Sequence, residues 1–88
     1  MDVKDLRCFL AVYKAGSFIG AASVLGTVHS NVSWRMRRLE SLIGAPLFIR
    51  NHRRMQPTER GEKLHGIATR IVTEFENAER AIKVNRVA

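Results

Sequence analysis

Residues 18–39 read FIGAASVLGTVHSNVSWRMRRL, and they contain two helical patterns on either side of a short turn. In the first pattern, apolar residues recur at i, i+3, i+4 and i+7, which predicts one buried face of a short helix: Phe18, Ala21, Ala22 and Leu25. Gly26 follows, where a helix end favours a residue that tolerates positive φ. The second pattern has apolar residues at helical spacing: Val28, Val32, Met36, Leu39 and Ile43. Two amphipathic helices joined by a glycine-bearing turn predict a helix-turn-helix over residues 18–37.

The outward face of the second helix, predicted over residues 28–43, indicates a nucleic-acid partner. An ordinary solvated helix face mixes glutamate with lysine and gains i,i+4 ion pairs. This face has no acid and carries small hydroxyls, an aromatic ring and arginines: Ser30, Ser33, Trp34, Arg37, Arg38 and Ser41. Small polar side chains let a helix approach base edges, and arginine reaches phosphate or guanine. We therefore expect this helix to enter the major groove of double-stranded DNA; the alternative is a solvated basic face.

Trp34 is the least expected residue on that face, because the helical pattern keeps its large ring off the apolar stripe. In one interpretation the ring lies against the groove wall, with its indole N–H on a phosphate. In the other, it folds over the stem of Arg37 or Arg38 in a cation–π contact. We predict the DNA contact.

Length and composition limit the classes of function. The chain has 88 residues, 45% of them hydrophobic, which suits one small domain and leaves no room for a large enclosed substrate cavity. Its net charge of +7 favours a polyanionic partner. Residues 34–54 hold six arginines and a single acid, Glu40, so the positive charge is concentrated in and just after the second helix.

Signals for other chemistry are weak. The three histidines have no metal-ligand spacing with Cys8 or with one another, and no glycine-rich phosphate loop follows a strand. We therefore expect no metal, no cofactor and no enzymatic activity. Cys8, the only cysteine, is expected in or near the core as a small apolar residue, which fits a cytoplasmic protein. No apolar run approaches the ~18 residues of a membrane-spanning helix, so we expect no membrane partner.

The rest of the chain predicts a mainly α fold. A first helix is expected over residues 3–15, with Asp2 as its cap and an apolar stripe at i, i+3, i+4 and i+7: Leu6, Phe9, Leu10 and Tyr13. Ser17 is expected to cap the next helix. The prediction is a winged helix-turn-helix, with a three-helix core and a two-stranded wing, followed by a long helix.

The predicted wing spans residues 47–57, with strands at 47–50 and 55–57 and Pro57 at a sheet edge. Its basic tip, with Arg53 and Arg54, suits phosphate or minor-groove contact; a solvated turn is the alternative. For Arg50, on the strand, two interpretations stay open. It either contacts DNA or forms an ion pair with Glu40 that braces the wing against the second helix of the motif.

The last helix is predicted to start after Thr58 and to run for about 27 residues, or roughly 40 Å. Its apolar residues follow a heptad-like spacing: Leu64, Ala68, Ile71, Phe75, Ala78 and Ile82. One interpretation is a helix that packs on its own domain. Because the helix is longer than a domain of this size can cover, we expect its distal half to pack on another chain and form a homodimer.

Together these motifs resemble the N-terminal DNA-binding domain of LysR-type transcriptional regulators, from about residue 2 to residue 85. The most specific parts of the resemblance are Ala21-Ala22, Arg38-Leu39-Glu40, Pro46-Leu47-Phe48 and the Thr58 cap. The resemblance implies a DNA-binding domain over residues 1–58, a linker helix for dimerisation over 59–88, and an effector-binding domain that would follow in the whole protein. It also implies promoter DNA as the partner and a bacterial, cytoplasmic regulator of transcription.

The resemblance also carries site residues onto this chain. His29 falls where the family usually has a base-reading glutamine, Ser30 and Ser33 fall on groove-facing positions, and Arg53 falls on the wing arginine. Val28 stands where many members have a capping serine, which makes Thr27 an alternative cap. Two rival functions remain open: a non-specific nucleic-acid binder, and a protein-interaction module built on the last helix.

Overall fold

In the described part of the chain the structure has four helices and a two-stranded wing, as the sequence predicts. The computed structural model describes residues 1–51 and 54–83. Helix α1 spans Val3–Ala15, α2 Phe18–Leu25 and α3 His29–Ile43; strands β1 and β2 span Phe48–Arg50 and Met55–Pro57, and α4 spans Glu59–Ile82. At 24 residues, α4 is somewhat shorter in the described part of the chain than predicted.

Polar side chains fix the starts of three helices. Asp2 forms a capping box at α1, in which its Oδ1 accepts from the Asp5 N–H at 2.9 Å and its own N–H donates to Asp5 Oδ2 at 3.1 Å. Ser17 Oγ accepts from the backbone N–H of Gly20 at 3.0 Å, and Thr58 Oγ1 accepts from that of Gly61 at 3.0 Å. The three predicted caps are confirmed.

The core lies between α1, α2 and α3. The most deeply buried apolar side chains of these helices and of the residue before the wing are Phe9, Val12, Ala21, Val32, Met36, Leu39 and Leu47. The buried face of α1 is rotated from the predicted stripe, because Cys8 and Val12 lie inside whereas Leu10 and Tyr13 are only half-buried. Cys8 is buried as expected, and burial raises the pKa of its thiol.

The first half of α4 completes this core. Leu64, Ala68 and Val72 are buried against the rest of the chain. Tyr13 ties α1 to α4, since its hydroxyl donates to Glu62 Oε1 at 2.6 Å and its ring stacks on His65 at 3.9 Å. The boundary predicted at residue 58 therefore marks the start of a helix, but the core continues across it.

The wing is a short antiparallel ribbon in which Phe48 pairs with Pro57 and Arg50 pairs with Met55. It is attached to the turn between α1 and α2, because the Met55 N–H donates to the Gly16 carbonyl at 2.8 Å. The wing is thereby placed beside the start of α2.

Candidate nucleic-acid interface

The outward face of α3 is open to solvent. His29, Ser30, Trp34 and Arg37 are exposed, and Ser33 is half-buried. Trp34 keeps 48% of its surface accessible, although it is the largest side chain on the helix. The face offers hydroxyls, an imidazole and an indole between positive charges, a set that can form hydrogen bonds with base edges and phosphates.

No side chain caps the start of α3. Val28 holds the N-cap position without a side-chain hydrogen bond. The expectation that Thr27 would cap instead is wrong, because its Oγ1 accepts from the Asn31 side-chain amide at 3.0 Å and from no backbone N–H among the described residues. Backbone donors and the positive end of the helix dipole therefore lie beside His29.

A cleft of about 270 Å³ separates the helix-turn-helix from the wing. The starts of α2 and α3 and both ends of the wing turn line it: Gly16, Ser17, Phe18, Ile19, His29, Arg50, Asn51, Arg54 and Met55. His29 meets the edge of the Phe18 ring at 5.7 Å, and the Arg54 guanidinium covers Gly16. The charged residues in this lining are both arginines, which suits an anionic ligand.

Two of the three wing arginines, Arg50 and Arg54, lie in the described part of the chain. Arg50 is exposed. The ion pair considered between Arg50 and Glu40 is not formed within the described residues; Glu40 Oε2 accepts from the Leu47 N–H at 2.6 Å instead. Arg54 is exposed beside the cleft. Arg53 lies outside the described residues.

Asp5 of α1 forms ion pairs with two arginines of α3. It is fully buried, and its two carboxylate oxygens pair with different arginines: Oδ1 with Arg35 Nη1 at 2.9 Å and Oδ2 with Arg38 Nη2 at 3.0 Å. Arg38 also lies over the Trp34 ring, with its Cζ 5.1 Å from the centroid. Of the two placements considered for Trp34, the free protein thus adopts the contact with Arg38.

Burial alone would raise the pKa of Asp5. The backbone hydrogen bond at Asp2 and the charged donors of Arg35 and Arg38 outweigh it, so the pKa of this carboxyl lies below its ordinary value of 3.8. Asp5 is therefore ionised at neutral pH, and α1 is joined to α3 by charged hydrogen bonds.

Residues 1–51 and 54–83 contain no group of three or more His, Cys, Asp or Glu that could hold a metal ion. No helix in that part of the chain is both long enough and apolar enough to cross a lipid bilayer.

A family model for the bacterial regulatory helix-turn-helix proteins of the lysR family matches residues 3–62, about two thirds of the chain. The chain belongs to the LysR family. Its curated relatives include the HTH-type transcriptional regulator PtxR of Pseudomonas aeruginosa, 41% identical over 78 residues that cover 89% of this chain and 25% of that protein. The chain thus spans about a quarter of the length of such LysR regulators.

Two solved structures resemble this LysR domain over most of its length. One is a complex of the CbnR DNA-binding domain with DNA, at 28% identity and a TM-score of 0.87, covering 92% of this chain and 93% of that one. The other is a complex of the BenM DNA-binding domain with benA site 1 DNA, at 26% identity and a TM-score of 0.87, covering 92% and 91%.

The role of Asp5 in this LysR domain was not among the features predicted from the sequence. A signal was present, because Asp5, Phe9 and Val12 recur at i, i+4 and i+7, which places an acid on an apolar stripe. An acid at such a position needs a buried cationic partner. The sequence pattern does not report the direction in which an arginine side chain points. Arg38 was assigned to the outward face, but its guanidinium reaches back to Asp5.

The apolar residues of α4 divide into two groups. Leu64 and Ala68, predicted to belong to a dimer seam, lie in the core of their own chain together with Val72, since α4 packs against α1. The others stay exposed in the single chain, at 42% for Ile71, 41% for Phe75 and 81% for Ile82, and Ala78 is exposed as well. We call Ile71, Phe75, Ala78 and Ile82 the distal stripe.

Proposed function

We propose that this LysR domain binds double-stranded promoter DNA in a sequence-specific manner, with α3 in the major groove and the wing on the adjacent backbone or minor groove. The single observation that carries the proposal is the outward face of α3, where His29, Ser30, Ser33, Trp34 and Arg37 lie on one solvent-facing surface. Glu40, the one acid of the helix, is held by the Leu47 N–H. A helix with such a face fits the major groove of B-DNA.

The position of the wing supports the same proposal. Arg50 and Arg54 flank a cleft that opens beside His29, so positive charge lies next to the start of α3. A phosphate backbone that follows the groove edge would pass these two arginines, and Arg53, which lies between them in the sequence, would extend the contact. The CbnR and BenM structures are DNA complexes of domains with this fold, which favours DNA over other polyanions.

We further propose that two copies pair through the distal stripe of α4. Apolar side chains that stay exposed along one side of a long helix favour burial against a second helix. A homodimer would present two α3 helices and would therefore contact two half-sites on the promoter. Because promoter DNA is the proposed partner, we also propose a cytoplasmic location for the whole regulator.

A selection experiment tests the proposal. A randomised DNA duplex library is passed over the protein, and the enriched duplex is compared with a scrambled one of the same composition by fluorescence anisotropy at several salt concentrations. We expect the enriched duplex to bind at least a thousandfold more tightly at physiological salt, the low end for specific DNA-binding proteins.

The rival functions give different results in the same experiment. A ratio near one at every salt concentration identifies a non-specific nucleic-acid binder. No measurable binding to any duplex at low salt identifies a protein-interaction module, with α4 as its functional element.

A further inference from the structure

One chain of contacts leads from the interior of the molecule to the outward face of α3. It begins at Asp5, the only fully buried charged residue in residues 1–51 and 54–83. A carboxylate held away from water is stable only when charged donors satisfy it. Arg35 and Arg38, one turn apart on α3, supply those donors at 2.9 and 3.0 Å.

The two arginines are not equivalent. The Arg35 side chain is 22% exposed and ends at Asp5, whereas that of Arg38 is 40% exposed and makes a second contact. Arg38 and Trp34 are separated by four residues, so they lie above one another on the helix, and the guanidinium carbon is 5.1 Å from the ring centroid. Arg38 therefore joins a buried anion on one side to an exposed indole on the other.

Arg37 provides the contrast. It carries the same charge one residue earlier and is exposed on the outward face. Within the described residues it forms no ion pair with an acid. Its guanidinium is thus free to reach a phosphate, whereas that of Arg38 is already held.

We propose that Asp5 and Arg38 are positioning residues for DNA recognition: Asp5 fixes Arg38, and Arg38 holds the Trp34 ring in place on the DNA-facing surface before DNA arrives. This inference rests on the proposed DNA-binding function. A side chain ordered in advance loses less conformational freedom on binding, so preorganisation of Trp34 raises affinity without any contact between Arg38 and DNA.

Arg38→Ala and Arg37→Ala form a matched pair of variants, since each removes one positive charge from the same helix. In Arg38→Ala we expect acrylamide to quench Trp34 fluorescence more efficiently in the free protein. Affinity for the enriched duplex should fall about threefold to tenfold, the cost of ordering one side chain. The slope of log K against log salt should stay as in the parent, because the same number of phosphates is neutralised.

In Arg37→Ala we expect the opposite pattern: unchanged Trp34 quenching in the free protein and a salt slope reduced by about 0.9. Arg38→Lys supplies a second variant that keeps the charge. Lysine cannot present the planar guanidinium to both partners, so Trp34 quenching should increase as in Arg38→Ala. Asp5→Asn should increase it as well, with Arg38 itself intact.

Two results would overturn the inference. One is Trp34 quenching in Arg38→Ala and Arg38→Lys equal to that of the parent, which needs no DNA to observe. The other is a salt slope that falls in Arg38→Ala as much as in Arg37→Ala, which makes Arg38 a phosphate contact. Failure of the parent protein to discriminate between duplexes is a separate result that contradicts the proposed function.

Discussion

Leu47 donates its backbone N–H to the Glu40 carboxylate across 2.6 Å, which joins the start of the wing to the end of α3. Leu47 is fully buried, so its N–H has no access to water. The wing and α3 are thereby held in one arrangement, which would let both contact DNA together in the proposed function.

Glu40→Ala should lower the free energy of unfolding by about 1.5–3 kcal/mol, the usual value of a hydrogen bond to a charged group. Urea unfolding measures it. Arg50→Ala is the control and should change stability by less than about 0.5 kcal/mol, as surface substitutions usually do. A double-mutant cycle that finds strong coupling between Glu40 and Arg50 would restore the ion pair that the structure replaces with the Leu47 contact.

The helices, the caps of α1, α2 and α4, and the wing could be predicted from the sequence because each depends on local patterns. Apolar spacing identifies most of the buried faces of α2 and α3, but Leu25 and Val28, predicted on those faces, are 40% and 63% exposed. Ser17 and Thr58 are strong capping residues at the right positions. Most of the outward set on α3 follows from the same spacing, because its short side chains off the apolar stripe face away from the core. Arg38 is the exception, since its guanidinium turns back to Asp5.

The contacts of long side chains could not be predicted from the sequence. The guanidinium groups of Arg35 and Arg38 reach across to α1, and no periodicity reports the direction that such flexible side chains take. The division of α4 into Ala68 inside and Ile71 outside depends on where α1 lies in space. A stripe along one helix cannot by itself distinguish contact within a chain from contact between chains.

Asp5 should make stability sensitive to acid. Its pKa in the folded protein lies below the ordinary value of 3.8, so the stabilisation is fully present above that value and is lost as the pH falls through the folded pKa. A carbon NMR titration of the carboxyl should give a midpoint below 3.8. Urea unfolding across the same range should show a steady loss of stability, and a midpoint at or above the ordinary value would contradict the account.

Phe75→Asp should dissociate the proposed homodimer, because it places a charge at the centre of the distal stripe. Sedimentation velocity measures the change. Binding to a duplex with two half-sites should weaken much more than binding to one half-site. Thr73→Asp, exposed on the same helix outside the stripe, is the matched control and should leave the dimer intact. A parent protein that stays monomeric at high concentration would contradict the proposed homodimer.

Arg53→Ala should lower affinity for enriched and scrambled duplexes alike, since a phosphate contact carries no sequence information. The slope of log K against log salt should fall by about 0.9, because the variant neutralises one phosphate fewer. Fluorescence anisotropy at several salt concentrations measures both. An unchanged slope together with unchanged affinity would place Arg53 away from the DNA.

The central claim is that the outward face of α3 reads base edges, and repeating the duplex selection with variants of that face tests it most directly. His29→Gln and Ser33→Ala should each change the preferred base at one or two positions of a half-site, because each alters hydrogen-bonding groups that face the groove. Ser23→Ala, exposed on α2, is the control and should return the parent sequence. If His29→Gln and Ser33→Ala also return the parent sequence with undiminished discrimination, α3 does not read the DNA and the account is contradicted.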